Sequence, residues 1–457
     1  VDYDTIIIGA GLSGLAAGIR LAYYEKKVCI LERHTTIGGL NSFYRLRNRN
    51  YDVGLHAMTN FAAPTVRSAP LNRLCRQLRI RREEFELVPQ VESATDFPGH
   101  RLRWNNDYHF FEQQIADEFP RQIDGFSRFV SRMKEQDSFA LTRDSSSART
   151  VLAEYLSEPV LVEMLLCPVM FYGSASARDM DFNQFCIMFQ SLFLEGMARP
   201  EGGVKPILKT LVRKFKSHGG ELKLRAGVRR ILNEGNRTTG VELDNGDVLS
   251  AESVLSSAGA AETFALCGFP KKQSHLSGEI SFVELIFILD CEPGELGFDK
   301  SIIFFNRQDD FVYDVPETPI DRRSGILCVP NNFHHAQPLE DGRIRITFLA
   351  NPEYWLNLPE EEYVAAKEKW QNEILQSVQQ QFQPFEEHIV DRDMFTPRTI
   401  KKFTGHFNGC VYGSPEKILD GKTPLKNLYL CGTDQGFLGI VGAMLSGISM
   451  TNAYLLK

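Results

Sequence analysis

The sequence predicts an α/β protein, a Rossmann-type nucleotide-binding domain interrupted by an inserted α+β domain, and three stretches carry that expectation. An apolar run at 5–8 leads into Gly9, Gly11 and Gly14, a Leu/Ala-rich segment, and a second apolar run at 28–31 that ends at Glu32. Near the carboxyl end a short apolar run at 427–430 precedes Gly432, Asp434 and a glycine-rich approach to a last helix. Between them, apolar residues at 241–243 and 248–249 flank Asp244, Asn245 and Gly246, the signal of a hairpin with a type I′ turn.

In the first stretch the spacing G-x-G-x-x-G divides the work among three glycines. Gly9 permits the tight turn, Gly11 lets the backbone approach a pyrophosphate, and Gly14 lets the helix pack closely on its strand. The amides of Gly11, Leu12, Ser13 and Gly14 then open a helix whose unpaired N–H groups point at phosphate. Glu32 lies 18 residues after Gly14, where a carboxylate accepts from both ribose hydroxyls and disfavours a 2′-phosphate. FAD or NAD is therefore expected rather than NADP, with Arg33 at the same edge.

The residues after Glu32 separate FAD from NAD. Gly38, Gly39 and Leu40 come next, then "YDVGLH" at 51–56, with Gly54, Leu55 and His56. With the closing motif, this pattern resembles the FAD-dependent amine oxidase and phytoene desaturase superfamily. "RPEGGVKPILKTLVRKFKSHGGELKLRAGV" at 199–228 and "FTPRTIKKFTGHFNGCVYGSPEK" at 395–417 bring it closest to the carotenoid desaturase, carotenoid isomerase and retinol saturase subgroup. The resemblance implies FAD as cofactor, bound without a covalent link, with Val228 against the adenine and Gly432 and Asp434 near the pyrophosphate or ribityl chain. It also places the amides of Val441, Gly442 and Ala443 at the pyrimidine edge of the flavin. Leu40 stands where the family has arginine, so Gly39 and the Leu40 backbone remain as contacts while a cation is lost.

Bulk properties restrict the partners. A net charge of -7 argues against nucleic acid. Nine cysteines without a C-x-x-C or a metal-ligand spacing fit reduced thiols, and Cys431 reads as a small packing residue beside the closing motif. No metal site is expected, and no nucleophile motif occurs. No apolar run reaches 18 residues, so neither a signal peptide nor a membrane span is expected. The expected location is cytoplasmic.

The expected FAD-binding domain is discontinuous, over 1–62, 200–276 and 396–457, with a substrate-binding domain from 63–199 and 277–395. The first insertion should hold a hairpin at 97–104 and helical periodicity from Ile115 to Val130. The second should hold strands at 282–289, 302–305, 326–329 and 344–349 and a helix at 360–382.

Thirty-two Phe against 14 Tyr and 3 Trp supply much aromatic surface with few polar handles. They concentrate at 182–197, where Phe182, Phe185, Phe189, Leu192 and Phe193 recur at helical spacing. That helix reads either as core or as the mouth of a hydrocarbon tunnel dipping into a membrane. The resemblance and this surface together imply dehydrogenation of a long apolar isoprenoid, such as a carotenoid precursor or squalene derivative, by a peripherally membrane-associated enzyme. Hydride would pass from an allylic carbon to the flavin. No second dinucleotide motif occurs after Val254, so electrons should leave to oxygen or a quinone. His56 is the candidate catalytic residue facing the flavin, a structural hydrogen bond being its alternative role; Arg143 or Asp144 has only a polar break in its favour as proton partner. A polyene isomerase or a saturase using reduced FAD, and an amine oxidase with Phe437 and Tyr412 as an aromatic cage, are the rival readings. A non-catalytic FAD-stabilised binding protein is a further one.

Overall fold

Strand Tyr3–Ile8 is buried along almost its whole length, as a parallel strand covered on both faces must be. In the computed structural model, which describes residues 1–135, 145–269 and 274–456, it lies inside the first of two seven-stranded sheets. The spatial order is Val228–Glu234, Arg237–Leu243, Val248–Ser256, Tyr3–Ile8, Val28–Leu31 and Glu221–Lys223, and Leu428–Leu430 also pairs with Val248–Ser256. Pairings within the nucleotide-binding core are parallel. Helix Leu12–Tyr23 packs against the closing helix Gly439–Met450, and a Cβ on Gly447 would stand 2.1 Å from the Ser13 carbonyl oxygen. Only glycine allows that approach.

The second sheet runs Ile389–Phe395, Ser281–Leu289, Gly342–Ala350, Ile320–Cys328, Ile302–Asn306, Ser93–Phe97 and His100–Trp104. Alternation along its central strands sorts side chains between two layers. Val283, Leu285, Phe287 and Leu289, with Ile344, Ile346 and Phe348, pack under helix Glu360–Gln381 through Ile374, Leu375 and Val378. The intervening residues, among them Phe282, Glu284, Arg345 and Thr347, face the other way. On that side lie helix Pro159–Gly173 and helix Phe182–Phe189, which enter a separate aromatic core.

Several local expectations change. The periodicity from Ile115 to Val130 resolves into two helices, Tyr108–Glu118 and Ile123–Lys134, with Pro120 between them, where proline cannot continue a helix. The hairpin at 241–249 forms, but its turn is not type I′. Among its central residues only Gly246 is left-handed, at φ +89°, and its amide donates to the Leu243 carbonyl at 3.0 Å, the pattern of a longer loop closed by a glycine bulge.

The segment 182–197 is also corrected. Helix Phe182–Phe189 passes into a π-helical turn, Gln190–Leu194, and Phe189 and Phe193 are 0% and 1% exposed. Phe193 stacks on Phe111 and meets Trp104 edge-on, and Phe189 packs tilted on Phe126 and edge-on to Phe129, so the helix is core and cannot be a membrane-dipping mouth. Among the described residues no helix is long and apolar enough to cross a membrane.

Candidate cofactor and active site

The first glycine turn is built as its spacing requires. Gly9 has φ +97°, and a Cβ on Gly14 would fall 2.1 Å from the Gly9 carbonyl oxygen. A Cβ on Gly11 would meet nothing within 4 Å. Helix Leu12–Tyr23 has no side-chain cap and no acid in its first turn, so its first amides and the positive end of the helix dipole are not neutralised by a capping side chain. The second glycine turn crosses directly over the first. Gly38 donates to the Ala10 carbonyl at 2.9 Å, and a Cβ on Gly39 would stop 3.7 Å from Gly11 Cα. Leu40 enters through its backbone, its carbonyl lying 2.4 Å from where a Gly54 Cβ would be.

Glu32 is buried at the end of its strand. Its oxygens accept from the amides of Ala10 and His34, both at 3.0 Å, which fixes the carboxylate and leaves lone pairs for a diol. Arg33 turns its guanidinium to the Lys402 carbonyl at 3.0 Å. Its Cβ lies 3.2 Å from where a Gly227 Cβ would be, which brings Val228, at the start of its strand, to the same end of the sheet.

At the other end of the turn, Gly432 has φ +98° and donates to Ser446 Oγ at 2.7 Å. The Asp434 carboxylate is already engaged, accepting from the amides of Ala260 at 2.6 Å and Ser414 at 2.8 Å; it shapes the loop, and its own carbonyl accepts from the Ile418 amide at 2.8 Å. Lys417 stands near it. Burial lowers the pKa of the Lys417 ammonium, the charge of Asp434 partly opposing, and its Nζ donates to the Tyr412 carbonyl at 2.8 Å. The closing helix begins after Leu438, again with no side-chain cap and no first-turn acid. Val441 is buried, Gly442 sits against the Phe437 backbone, and Ala443 is half-buried. From Gly439 to Gly447, where this helix touches Ser13, is eight residues, about 12 Å of rise. Two anion-favouring helix ends at that separation, a diol-accepting acid and a glycine cradle fit an elongated dinucleotide such as FAD.

His56 comes after the second glycine turn and is buried. Its Nε2 lies 3.1 Å from Thr347 Oγ1 and 3.4 Å from Glu284 Oε1. Burial lowers its pKa, with Glu284 opposing and Arg345 and Arg199 reinforcing, which favours the neutral ring. Burial works against the Glu284 charge too, yet Arg345 and His56 outweigh it and hold the carboxyl at about 2. Arg345 pairs with Glu284 and donates to the carbonyls of Leu55 at 2.7 Å and Asp52 at 3.2 Å. Arg199 pairs with Asp52 and donates to the same Leu55 carbonyl. Two arginines thus clamp the loop that presents His56. Tyr172 lies edge-on to the imidazole, ring centroids 6.2 Å apart, and its buried hydroxyl has no hydrogen-bond partner.

Arg199, Glu284, Arg345, Thr347 and Tyr172 escape sequence reasoning. A signal existed for one of them, since Glu284 interrupts a strand that is otherwise almost wholly apolar, and a charge there requires a partner. Arg143 and Asp144 lie outside the described residues. Tyr412 packs edge-on to Phe282 with its hydroxyl on the Phe171 carbonyl, whereas Phe437 packs beside the nucleotide-domain core. Cys431 is buried, which pushes its thiol up to about 12. One grouping of metal-type side chains, Asp290, Cys291 and His388, sits beyond the end of strand Ser281–Leu289, about 20 Å along the strand from Glu284. A cleft of about 880 Å³ lined by Arg178, Arg322, Asp314 and Glu373 lies by helix Glu360–Gln381, away from the glycine turns.

Similarity to known proteins identifies the family. The chain is 24% identical to a chloroplastic prolycopene isomerase of Arabidopsis thaliana, over 98% of this chain and 81% of that protein. It is 27% identical to a neurosporene-forming phytoene desaturase of Rhodobacter capsulatus, over 57% of this chain and 53% of that protein. Its fold is similar to the crystal structure of an oxidoreductase from Methanosarcina mazei, with a TM-score of 0.70 at 17% identity over 98% of this chain and 99% of the other. The family model described as flavin containing amine oxidoreductase matches residues 12–453, and the chain therefore belongs to that family of FAD-dependent oxidoreductases.

Proposed function

We infer that this oxidoreductase acts on a long apolar isoprenoid, such as a carotenoid precursor or squalene derivative, and dehydrogenates it across an allylic carbon–carbon bond. The observation that carries the reading is that the aromatic core reaches both the His56 loop and the start of the closing helix. Phe171, Phe185, Phe189, Phe193, Phe282 and Phe304 form one apolar cluster that also contains Ala57, next to His56, and Leu438, at the start of the closing helix. Apolar surroundings beside the His56 loop suit a ligand recognised by shape and apolar contact. FAD, held by the two glycine turns, Glu32 and the closing helix, supplies a two-electron acceptor when bound. His56, neutral and tied to Thr347, orients groups at the reaction side, and Arg199 and Arg345 hold its loop in place. The substrate arrives from a bilayer surface, and the electrons leave to oxygen or a quinone.

Anaerobic incubation of the holoprotein with hydrogenated C30 and C40 polyenes tests this. Bleaching of the flavin absorbance together with a product lighter by one H₂ is the expected result; an unchanged substrate with the flavin still oxidised would sink the reading. Isomerisation is the second reading, favoured because the isomerase relative aligns over 98% of the chain and the desaturase over 57%. It would give a product of unchanged mass and shifted absorption.

A further inference from the structure

We propose that Glu195 is the proton acceptor of this site, taking the proton from the substrate carbon next to the one that gives up hydride. The inference rests on the dehydrogenation reading. Two adjacent C–H bonds break and a C=C bond forms, the hydride electrons go to oxidised FAD, and the proton goes to a Glu195 carboxylate oxygen and then to water.

Three observations place Glu195 for this. It ends the π-helical turn Gln190–Leu194, a local irregularity that re-aims side chains and occurs often at functional sites. Its two oxygens accept from neutral amides alone, Asn60 Nδ2 at 2.9 Å and Gln190 Nε2 at 2.8 Å, and among the described residues it makes no ion pair. A carboxylate that is oriented but not neutralised by a cation keeps its basicity. Finally, Asn60 connects it to the cofactor end. Asn60 is held at φ +65°, a strained conformation for a non-glycine residue, by its amide bond to the Ser191 carbonyl at 3.0 Å. The preceding Thr59 has its Oγ1 3.5 Å from where a Cβ on Gly439 would sit, at the start of the closing helix. Glu195 is therefore linked to that helix end through Asn60 and Thr59, and Leu194 beside it packs against the aromatic core. Its environment also raises the carboxyl above the ordinary range, burial outweighing the two amide bonds.

The test uses holoprotein and two readouts. In D₂O the wild type should exchange solvent deuterium into recovered isoprenoid, and Glu195→Gln should lower that exchange at least a hundredfold with FAD content unchanged. Glu195→Asp, which keeps the carboxyl but shortens its reach, should lower it about tenfold or more and serves if the Gln variant fails to fold. Exchange at the wild-type rate in either variant overturns the proposal. The second readout needs no substrate. A raised carboxyl binds its proton more tightly when folded, so wild-type stability falls as pH rises above about 4.5 toward the folded pKa. The Tm of the wild type should therefore drop relative to Glu195→Gln over that range, and parallel Tm–pH curves would overturn the proposal. If the wild type converts no isoprenoid at all, the dehydrogenation reading fails and the proton-acceptor role with it, whereas an altered Tm–pH curve would still show an enclosed, proton-holding carboxyl.

Discussion

Arg199 Nη2 lies 2.5 Å from Asp52 Oδ2, a buried ion pair joining strand Ala198–Pro200 to the end of strand Arg49–Asp52. Asp52 Oδ1 also accepts from the Val204 amide at 3.1 Å, and a Cβ on Gly203 would collide with the carboxylate at 2.5 Å. One acid thus holds both the loop carrying His56 and the start of helix Val204–Ser217. Removing one partner leaves an uncompensated buried charge, which costs about 3–5 kcal/mol. Arg199→Met should lower the unfolding free energy from urea titration by that much and reduce FAD content; a change below about 1 kcal/mol would mean that the pair contributes no more than a surface one.

Glu32→Ala is expected to weaken FAD binding by about 1–3 kcal/mol through lost charge-assisted bonds. Because Glu32 also anchors the amides of Ala10 and His34, the apoprotein should lose stability as well. Glu32→Gln, which keeps an acceptor, should recover part of both. Flavin titration and melting of the apoprotein separate the two effects, and an unchanged flavin affinity in Glu32→Ala would contradict the role given to this carboxylate.

Two histidines are expected to give opposite pH dependences. His56 has its pKa lowered by burial, so its contribution is intact above about 6.5 and stability is lost as pH falls from there toward the folded pKa. For His406 burial works against the charge, but the Glu262 carboxylate 3.5 Å from its Nδ1 and the charge of Asp434 prevail and raise the pKa. Its stabilisation is full below about 6.5 and disappears as pH rises through the folded pKa. His56→Gln should flatten the acid limb of the Tm–pH curve, and His406→Gln should cost stability mainly at low pH. The same slope change from both variants would refute these assignments.

Replacing Phe189 and Phe193 together by Ser should destabilise the protein severely rather than detach it from lipid. Large-to-small changes at fully buried aromatic positions cost about 3–5 kcal/mol each, and these rings pack on one another with centroids 4.9 Å apart. Loss of cooperative melting is the expected outcome. A variant that melts like the wild type would mean that the pair lines an adaptable surface.

Held FAD should be released by acid precipitation, since the glycine turns and Glu32 offer hydrogen bonds and packing and Cys431 is a buried thiol. Yellow colour remaining in the pellet would indicate a covalent link.

The glycine turns, Glu32 and the closing helix were legible in the sequence because each is a local device. A left-handed φ at Gly9 or the contact of Gly14 with the Gly9 carbonyl depends on residues a few positions apart, so spacing alone discloses it. Strands Ser281–Leu289, Ile302–Asn306 and Gly342–Ala350 of the second sheet were legible for the same reason, as short apolar runs between turn residues, whereas the polar edge strand Ile389–Phe395 was not. The surroundings of His56 were not. Asp52, Arg199, Glu284 and Arg345 meet only because strand Ser281–Leu289 pairs with Gly342–Ala350 in the register that sets Glu284 opposite Thr347, and that face turns toward the nucleotide domain. The segment 182–197 shows the same limit. Its apolar residues fit a core and a membrane surface equally well, and only the aromatic helices packed over Phe189 and Phe193 decided for the core, because burial is a property of what covers a residue and not of the residue itself.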